Sequence, residues 1–327
     1  MTSRSVLVTG GAGFIGSHTC KELARRGLLP VTFDNLSRGN KKAVKWGPLV
    51  VGDILDQATL TAAIEEYRPE AVIHFAALAY VGESVTDPAA YYRVNVTGTL
   101  SLLEACRTTG IDRVVFSSSC ATYGVPRELP IAEESDQRPI NPYGRTKLIA
   151  EQMLADYSVA YGTRHAILRY FNACGADPEG GLAEWHDPET HLIPRALMAA
   201  YGSIDHLSVF GDDYDTEDGT CVRDYIHVSD LARAHALAVD HLAAGGANLS
   251  VNLGTGRGVS IRQILESIES ITKIEVPVVM QPRRAGDPPA LFADANRARQ
   301  LLGFTAELSD IETIVATASP AFRRGLS

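Results

Sequence analysis

The first half of the chain alternates short apolar runs with longer stretches whose apolar positions recur at helical spacing. Ser5–Thr9 (SVLVT) reads as a buried strand, and Phe14–Arg26 as the helix that follows it. Pro30–Phe33, Leu49–Gly52, Ala71–Phe75, Arg113–Ser117 and Arg164–Arg169 read as further strands, with helices over Gln57–Tyr67 and Pro142–Ala160. Strands that alternate with helices predict an α/β fold: a doubly wound parallel sheet covered on both faces. Ligands of such a sheet lie at the carboxyl ends of its strands. After Tyr170 the alternation fails. Residues 173–191 are rich in Gly, Pro and acidic side chains; helices are expected over 192–202, 229–244 and 260–272, and a short strand over 276–280. The pattern therefore predicts two parts. Residues 1–170 form the sheet domain and 171–327 a smaller α+β domain, with segments near 223–245 returning to the first.

Composition narrows the classes. The chain has 327 residues and a net charge of −9 with no long basic block, which argues against nucleic acid as the main partner. No apolar run is long enough to span a membrane, and MTSRSVLVTGG passes straight into a strand with no room for a signal peptide. The five cysteines (Cys20, Cys106, Cys120, Cys174 and Cys221) are odd in number and widely spaced, as in a reduced, cytoplasmic protein.

The first strand runs into Gly10-Gly11-Ala12-Gly13-Phe14-Ile15-Gly16 and then into a helix. Glycines there allow a tight turn and let a helix N-terminus approach a pyrophosphate. Asp34 ends the second strand about 20 residues on, where a carboxylate can hold both ribose hydroxyls of a dinucleotide. It would repel a 2′-phosphate, so NAD is expected rather than NADP, although Arg38 lies nearby. Asp53-Ile54 is placed to meet the adenine, and Phe75-Ala76-Ala77 supplies small residues for close approach.

Tyr143 and Lys147 are four residues apart on one predicted helix, which puts both side chains on one face. A tyrosine is a poor base at neutral pH unless a nearby ammonium stabilises its phenolate. The pair is then suited to exchanging a proton with a sugar hydroxyl, and the lysine can also reach a nicotinamide ribose. The strand ending in Ser117-Ser118-Ser119 brings serines to the same edge, where Ser119 can hold the reacting hydroxyl and at least one of the three caps the next turn.

The segments TGGAGFIGSH, DNLSRGN, GDI, HFAA with VGES, SSSCATYG, NPYGRTK, RYFN, DYDTEDGTCVRDYIHVSDLA, NLGTG and RRAGDP occur in that order, from Val6 to about Phe304. Together they resemble the UDP-glucose 4-epimerases of the extended short-chain dehydrogenase/reductase group. The resemblance implies a Rossmann domain with tightly held NAD, a small domain that binds the UDP-sugar, and a homodimer. It implies transient oxidation at C4, with Ser119, Tyr143 and Lys147 as the catalytic residues. Asn35, Leu36, Ser37, Asn95, Tyr170 and Phe171 then join the cofactor contacts. Asn172, His191, Leu192, Val209, Phe210, Arg223, Arg284, Asp287 and Leu291 match UDP-sugar contacts. Two guanidinium groups suit a diphosphate, although Arg223 could instead pair with its neighbour Asp224.

The chain departs from the pattern at several places. Ala79 replaces a lysine of many members, and Leu291 a bulky tyrosine of some, which would admit a larger, N-acetylated sugar. Ser119 to Gly124 resembles the branch that includes UDP-xylose/UDP-arabinose 4-epimerases, so a pentose substrate is the alternative. A 4,6-dehydratase would need an acid and a base where Cys120 and Ala121 stand, and a non-catalytic NAD sensor would not need the serine, tyrosine and lysine in register. No metal site is expected in Trp185–His191, because histidines five apart do not share a helical face and Pro188 breaks the helix.

Overall fold

The structure is a computed structural model that describes residues 4–284 and 287–323. Its centre is a seven-stranded parallel sheet. The strands are β1 (Ser5–Thr9), β2 (Leu29–Asp34), β3 (Leu49–Val51), β4 (Ala71–His74), β5 (Arg113–Ser119), β6 (Arg164–Tyr170) and β7 (Leu249–Leu253). Their spatial order is β3-β2-β1-β4-β5-β6-β7. The winding reverses between β1 and β4, which opens a crevice at their carboxyl ends.

Both faces of β1 are buried, as its unbroken apolar run requires. Val6 and Val8 point into one core and Leu7 into another. On the first side lie α1 (Phe14–Arg25) and a later helix, through Leu23, Leu231 and Val239. On the second lie α2 (Gln57–Tyr67) and α3 (Gly98–Thr109), through Leu60, Ile64, Leu102 and Ala105. Helix α4 (Pro142–Tyr161) covers β5 and β6 with Ala150 and Leu154 against Val114, Phe116 and Ile167. Its start is well marked: Asn141 accepts the Gly144 N–H at 2.8 Å and Pro142 takes the first turn. Gly162 ends it at φ 75°.

Among the elements absent from the sequence reading are two that build the sheet domain. Helix α3 has no cap to announce it, because the chain is already helical through Pro88–Tyr91 and a π-helical segment Tyr92–Thr97. Strand β7 is only five residues long and lies among irregular segments.

A second core gathers around α5 (Leu192–Ala200), α7 (Ile261–Thr272) and α9 (Ile311–Ala318), with Leu207 and Tyr225. The strand expected over 276–280 is Val278–Gln281, paired in parallel with Leu207–Phe210. Between these elements the chain twice returns to the first core. Helix α6 (Val228–Ala243) packs on α1 and leads into β7; α8 (Asn296–Leu302) and Phe304 come back again. The return thus extends beyond 223–245. No helix among the described residues is long and apolar enough to cross a membrane.

Three core histidines make folding sensitive to acid. Burial pushes the imidazoles of His18 and His235 down to about 4 and that of His74 to about 3. They are neutral in the folded chain, whereas in the unfolded chain they protonate near pH 6.5. Below pH 6.5 the unfolded state therefore binds protons that the folded state refuses, and stability falls as pH falls. Each histidine contributes up to about 1.4 kcal/mol per pH unit in that window. The urea midpoint at pH 5 is expected to lie well below that at pH 7; equal midpoints would show that these rings accept protons in the native state.

Candidate active site

The carboxyl ends of the strands open into a cleft of about 2490 Å³, which the second core's segments wall on the far side. Gly10, Gly13, Phe14, Ile15, Gly16, Asp34, Asn35, Ser37, Asp53, Ile54, Phe75, Ala76 and Ala77 line it. Gly10 sits at φ 72°, and a Cβ there would lie 2.7 Å from the Ala76 nitrogen; one on Gly16 would lie 2.2 Å from the Gly10 carbonyl oxygen. Only glycine allows this turn and the close seating of α1 on it. Gly13 caps α1 without a side-chain hydrogen bond among the described residues, so the first-turn N–H groups remain for an anion.

The Asp34 carboxylate accepts the N–H groups of Ala12 (3.0 Å) and Leu36 (2.8 Å). Burial raises its pKa and those two bonds pull it back. Asn35 donates to Asp53 at 3.0 Å and accepts the Ser37 N–H at 3.0 Å, so the residues after β2 are preset. This arrangement fits a dinucleotide.

Two expected cofactor contacts, Leu36 and Asn95, are not among the described residues that line the cleft. The φ of 59° at Leu36 serves the turn that brings its N–H to Asp34. Asn95 is buried behind the wall, its amide bonded to both backbone groups of Leu78 (2.8 and 3.0 Å) and to Thr146 (3.0 Å). It fixes the segment after β4 against α4.

Tyr143 and Lys147 both face the cleft from α4, and Ser119 faces it from the end of β5. Ser119 lies close enough to the Tyr143 phenol to lower its pKa, and its Oγ accepts the Ala121 N–H at 3.2 Å. Burial pushes the Tyr143 phenol up to about 12, against the pull of Ser119. It pushes the Lys147 ammonium down to about 8, against the attraction of Glu151. Lys147 Nζ donates to the Ser117 carbonyl at 2.7 Å and lies 5.9 Å from the centre of the Tyr143 ring. The lysine's charge is thus anchored to the end of β5, beside the tyrosine ring.

The other two serines are structural. Ser117 Oγ is hydrogen-bonded to the Tyr170 hydroxyl, and Ser118 Oγ donates to Glu151 at 2.5 Å. Tyr91, which the sequence reading omitted, packs its ring edge-on against Tyr143 at 6.5 Å.

Tyr170, Phe171, Asn172, His191, Arg284, Asp287 and Leu291 also line the cleft. Leu192, Val209, Phe210 and Arg223 are not among its described lining residues. Leu192 and Val209 belong to the second core, and Phe210 carries the Arg284 guanidinium at 3.9 Å. Arg223 pairs with Asp287 at 3.2 Å rather than with Asp224. Asp224 is buried and occupied by N–H groups of Thr255, Gly256 and Ala293. Ala285 and Gly286, inside the run from Arg284 to Asp287, lie outside the described residues. Cys120 and Leu291, the two positions at which the sequence reading leaves the sugar open, pack against one cluster of Tyr123, Ile131, Phe171 and Ala293.

Trp185–His191 is not helical, but it folds back so that the His186 and His191 rings come within 4.8 Å, beside Glu184 and Glu189. Helical spacing carries no information about such a loop, which is why the sequence reading kept these histidines apart. The loop also meets Phe14 and Tyr80, and Arg38 bridges it to Glu83.

Residues 6–254 match the model of the NAD dependent epimerase/dehydratase family. The chain is 53% identical over 318 residues to the UDP-glucose 4-epimerase of Rhizobium meliloti, covering 97% of each protein. It superposes with a TM-score of 0.97 on UDP-glucose 4-epimerase from Brucella ovis in complex with NAD, 66% identical over 98% of each chain. A second structure, UDP-glucose-4-epimerase from Stenotrophomonas maltophila with bound NAD and formylated UDP-arabinopyranose, is 40% identical with a TM-score of 0.94 over 97% of each chain. With these matches running nearly end to end, and with a glycine turn, Ser119, Tyr143 and Lys147 meeting in one cleft, the chain belongs to the NAD dependent epimerase/dehydratase family and, within it, to the UDP-glucose 4-epimerases.

Proposed function

We propose that this protein interconverts UDP-glucose and UDP-galactose by transient oxidation at C4. The observation that carries the reading is that Ser119, Tyr143 and Lys147 line the same cleft as an uncapped helix N-terminus and a buried Asp34. NAD, once bound, would supply a hydride acceptor able to return the hydride, and a positive charge. The glycine turn and the start of α1 hold its pyrophosphate, and Asp34 its adenosine ribose. Tyr143 takes the proton of the sugar 4-hydroxyl and returns it, while Ser119 holds the same oxygen. Lys147, fixed by Ser117, keeps a positive charge beneath the tyrosine ring. Rotation of the 4-keto sugar presents its other face, so no net oxidation results.

The cofactor belongs to the part built on the seven-stranded sheet, residues 1–170 with the returning segments, and the UDP-sugar to the rest of 171–327. Arg284 faces the cleft and meets the diphosphate; Arg223 joins on exchanging Asp287 for it. Purified protein with no added NAD is expected to convert UDP-glucose and UDP-galactose into one another. Conversion of neither would remove the proposal.

A pentose reading has one observation in its favour. The Stenotrophomonas maltophila relative was solved with formylated UDP-arabinopyranose. Conversion of UDP-xylose and UDP-arabinose alone would put that reading first. The protein is further a cytoplasmic homodimer. Leu100 on α3 and Val159 and Tyr161 on the adjoining α4 are exposed apolar residues suited to a self-contact, and all five cysteines are free. Light scattering of a monomer, or fractionation with the envelope, would count against these two points.

A further inference from the structure

We propose that Glu184, His186, Glu189 and His191 form a binding site for a divalent transition-metal ion, zinc being the best match. Each residue offers one donor atom, and the four donors lie within 4.8 Å of one another. His186 Nδ1 is 3.2 Å from Glu184 Oε1 and 3.4 Å from Glu189 Oε2; His191 Nδ1 is 2.9 Å from Glu184 Oε1 and 3.0 Å from Glu189 Oε1. Zinc bound tetrahedrally at 2.0–2.2 Å to nitrogen and oxygen donors needs donors about 3.3 Å apart. The four histidine–carboxylate distances, 2.9 to 3.4 Å, lie near that length, with Glu189 turning a different oxygen to each histidine.

A second observation separates this cluster from ordinary ion pairing. The Glu184 side chain is only 4% exposed. Its Oε1 and the His186 Nδ1 are both buried, and among the described residues neither makes a well-directed hydrogen bond, although the cluster's own ion-pair partners lie within 2.9 to 3.4 Å. Two buried lone pairs aimed at one point are costly unless a proton or a cation lies between them. Protons are the competing occupant. Two imidazoles and two carboxylates are a borderline donor set that suits zinc, whereas calcium and magnesium favour all-oxygen cages.

The location gives the ion a consequence. The His186 ring stands edge-on to Phe14 of the glycine turn and to Tyr80, at 6.1 and 6.0 Å. Arg38 Nη1 donates to the Asp187 carbonyl at 3.4 Å. An ion here fastens the loop from Glu184 to His191 across the opening above α1.

The test uses the full-length protein, free of any affinity tag and stripped with a chelator, titrated with zinc chloride by calorimetry and with cobalt by visible absorption. One equivalent of zinc is expected to bind, with the intense visible bands of four-coordinate cobalt. Glu184→Gln and His186→Gln are each expected to weaken zinc binding at least 100-fold. Absence of one-equivalent binding would overturn the site in favour of a proton-filled cluster. Equal affinity in both variants would overturn it by placing the ion elsewhere. Circular dichroism checks folding, and if one variant is misfolded the other decides. Turnover is not read, so this result stands apart from the proposed reaction.

Discussion

Replacing Tyr143 with phenylalanine is expected to lower turnover by on the order of 10²–10⁴-fold, the usual contribution of a positioned proton-transfer group. The change removes one oxygen. The phenyl ring keeps its place against Tyr91 and beneath it the Lys147 ammonium, so the wall of the cleft survives. What goes is the phenol that faces the cleft beside Ser119, and with it the proposed base for the sugar hydroxyl. The contacts expected to hold NAD at Gly10, Gly13, Gly16 and Asp34 are left intact. NAD released on denaturation should therefore match the parent protein, while UDP-galactose formation collapses. Turnover near the parent rate would refute the assignment of the base.

The largest loss of stability is expected from Glu151→Gln. Glu151 lies one further turn along α4 from Lys147 and is buried against Arg169 of β6, with Nη2 and Oε2 2.7 Å apart. Ser118 and Gln137 complete its hydrogen bonds, and Arg169 also reaches the Tyr123 hydroxyl at 2.9 Å. Tyr123 in turn donates to Asn252 of β7 at 2.8 Å. The pair thus ties α4, β5, β6 and β7 together in a place closed to water. Removing one partner strands the guanidinium, which costs about 3–5 kcal/mol. Urea unfolding measures it; a loss below about 1 kcal/mol, the ordinary worth of an exposed pair, would show that water reaches Arg169. Replacing both residues with apolar ones is expected to cost less. Glu151 also opposes the fall in the Lys147 pKa. In Glu151→Gln that ammonium should lose its proton at lower pH, so activity should fade earlier on the alkaline side.

How far such features can be read from residue order depends on whether a local pattern or a distant contact fixes them. The strand Ser5–Thr9, the glycine turn and the helix from Pro142 are all local: an apolar run, a forced positive φ, an Asn-Pro cap. Each is legible. The spacing of Tyr143 and Lys147 is legible for the same reason, and it continues to Glu151, a third member of the same face that went unused. Helix α3 is not legible, since it starts without a cap, nor is β7, since five residues gain strand geometry only by pairing with β6. Asn95 was assigned to the cofactor by resemblance, yet its amide is spent on Leu78 and Thr146. The partner of Arg223 could not be foreseen either, because Asp287 is 64 residues away and Asp224 is adjacent.

The twofold return of the chain to the sheet bears on how such a protein can be rebuilt. The substrate-side segments are not a tail added after Tyr170; they are loops let out from a closed frame whose last strand, β7, and covering helix, α6, come after most of the cleft's far wall has been laid down. A chain stopped at residue 170 would leave β6 as a bare sheet edge and uncover the face on which α6 lies. Exchange of sugar specificity between relatives must therefore be made by splicing within the frame, with at least two junctions kept in register, and cannot be made by swapping one half of the gene for another.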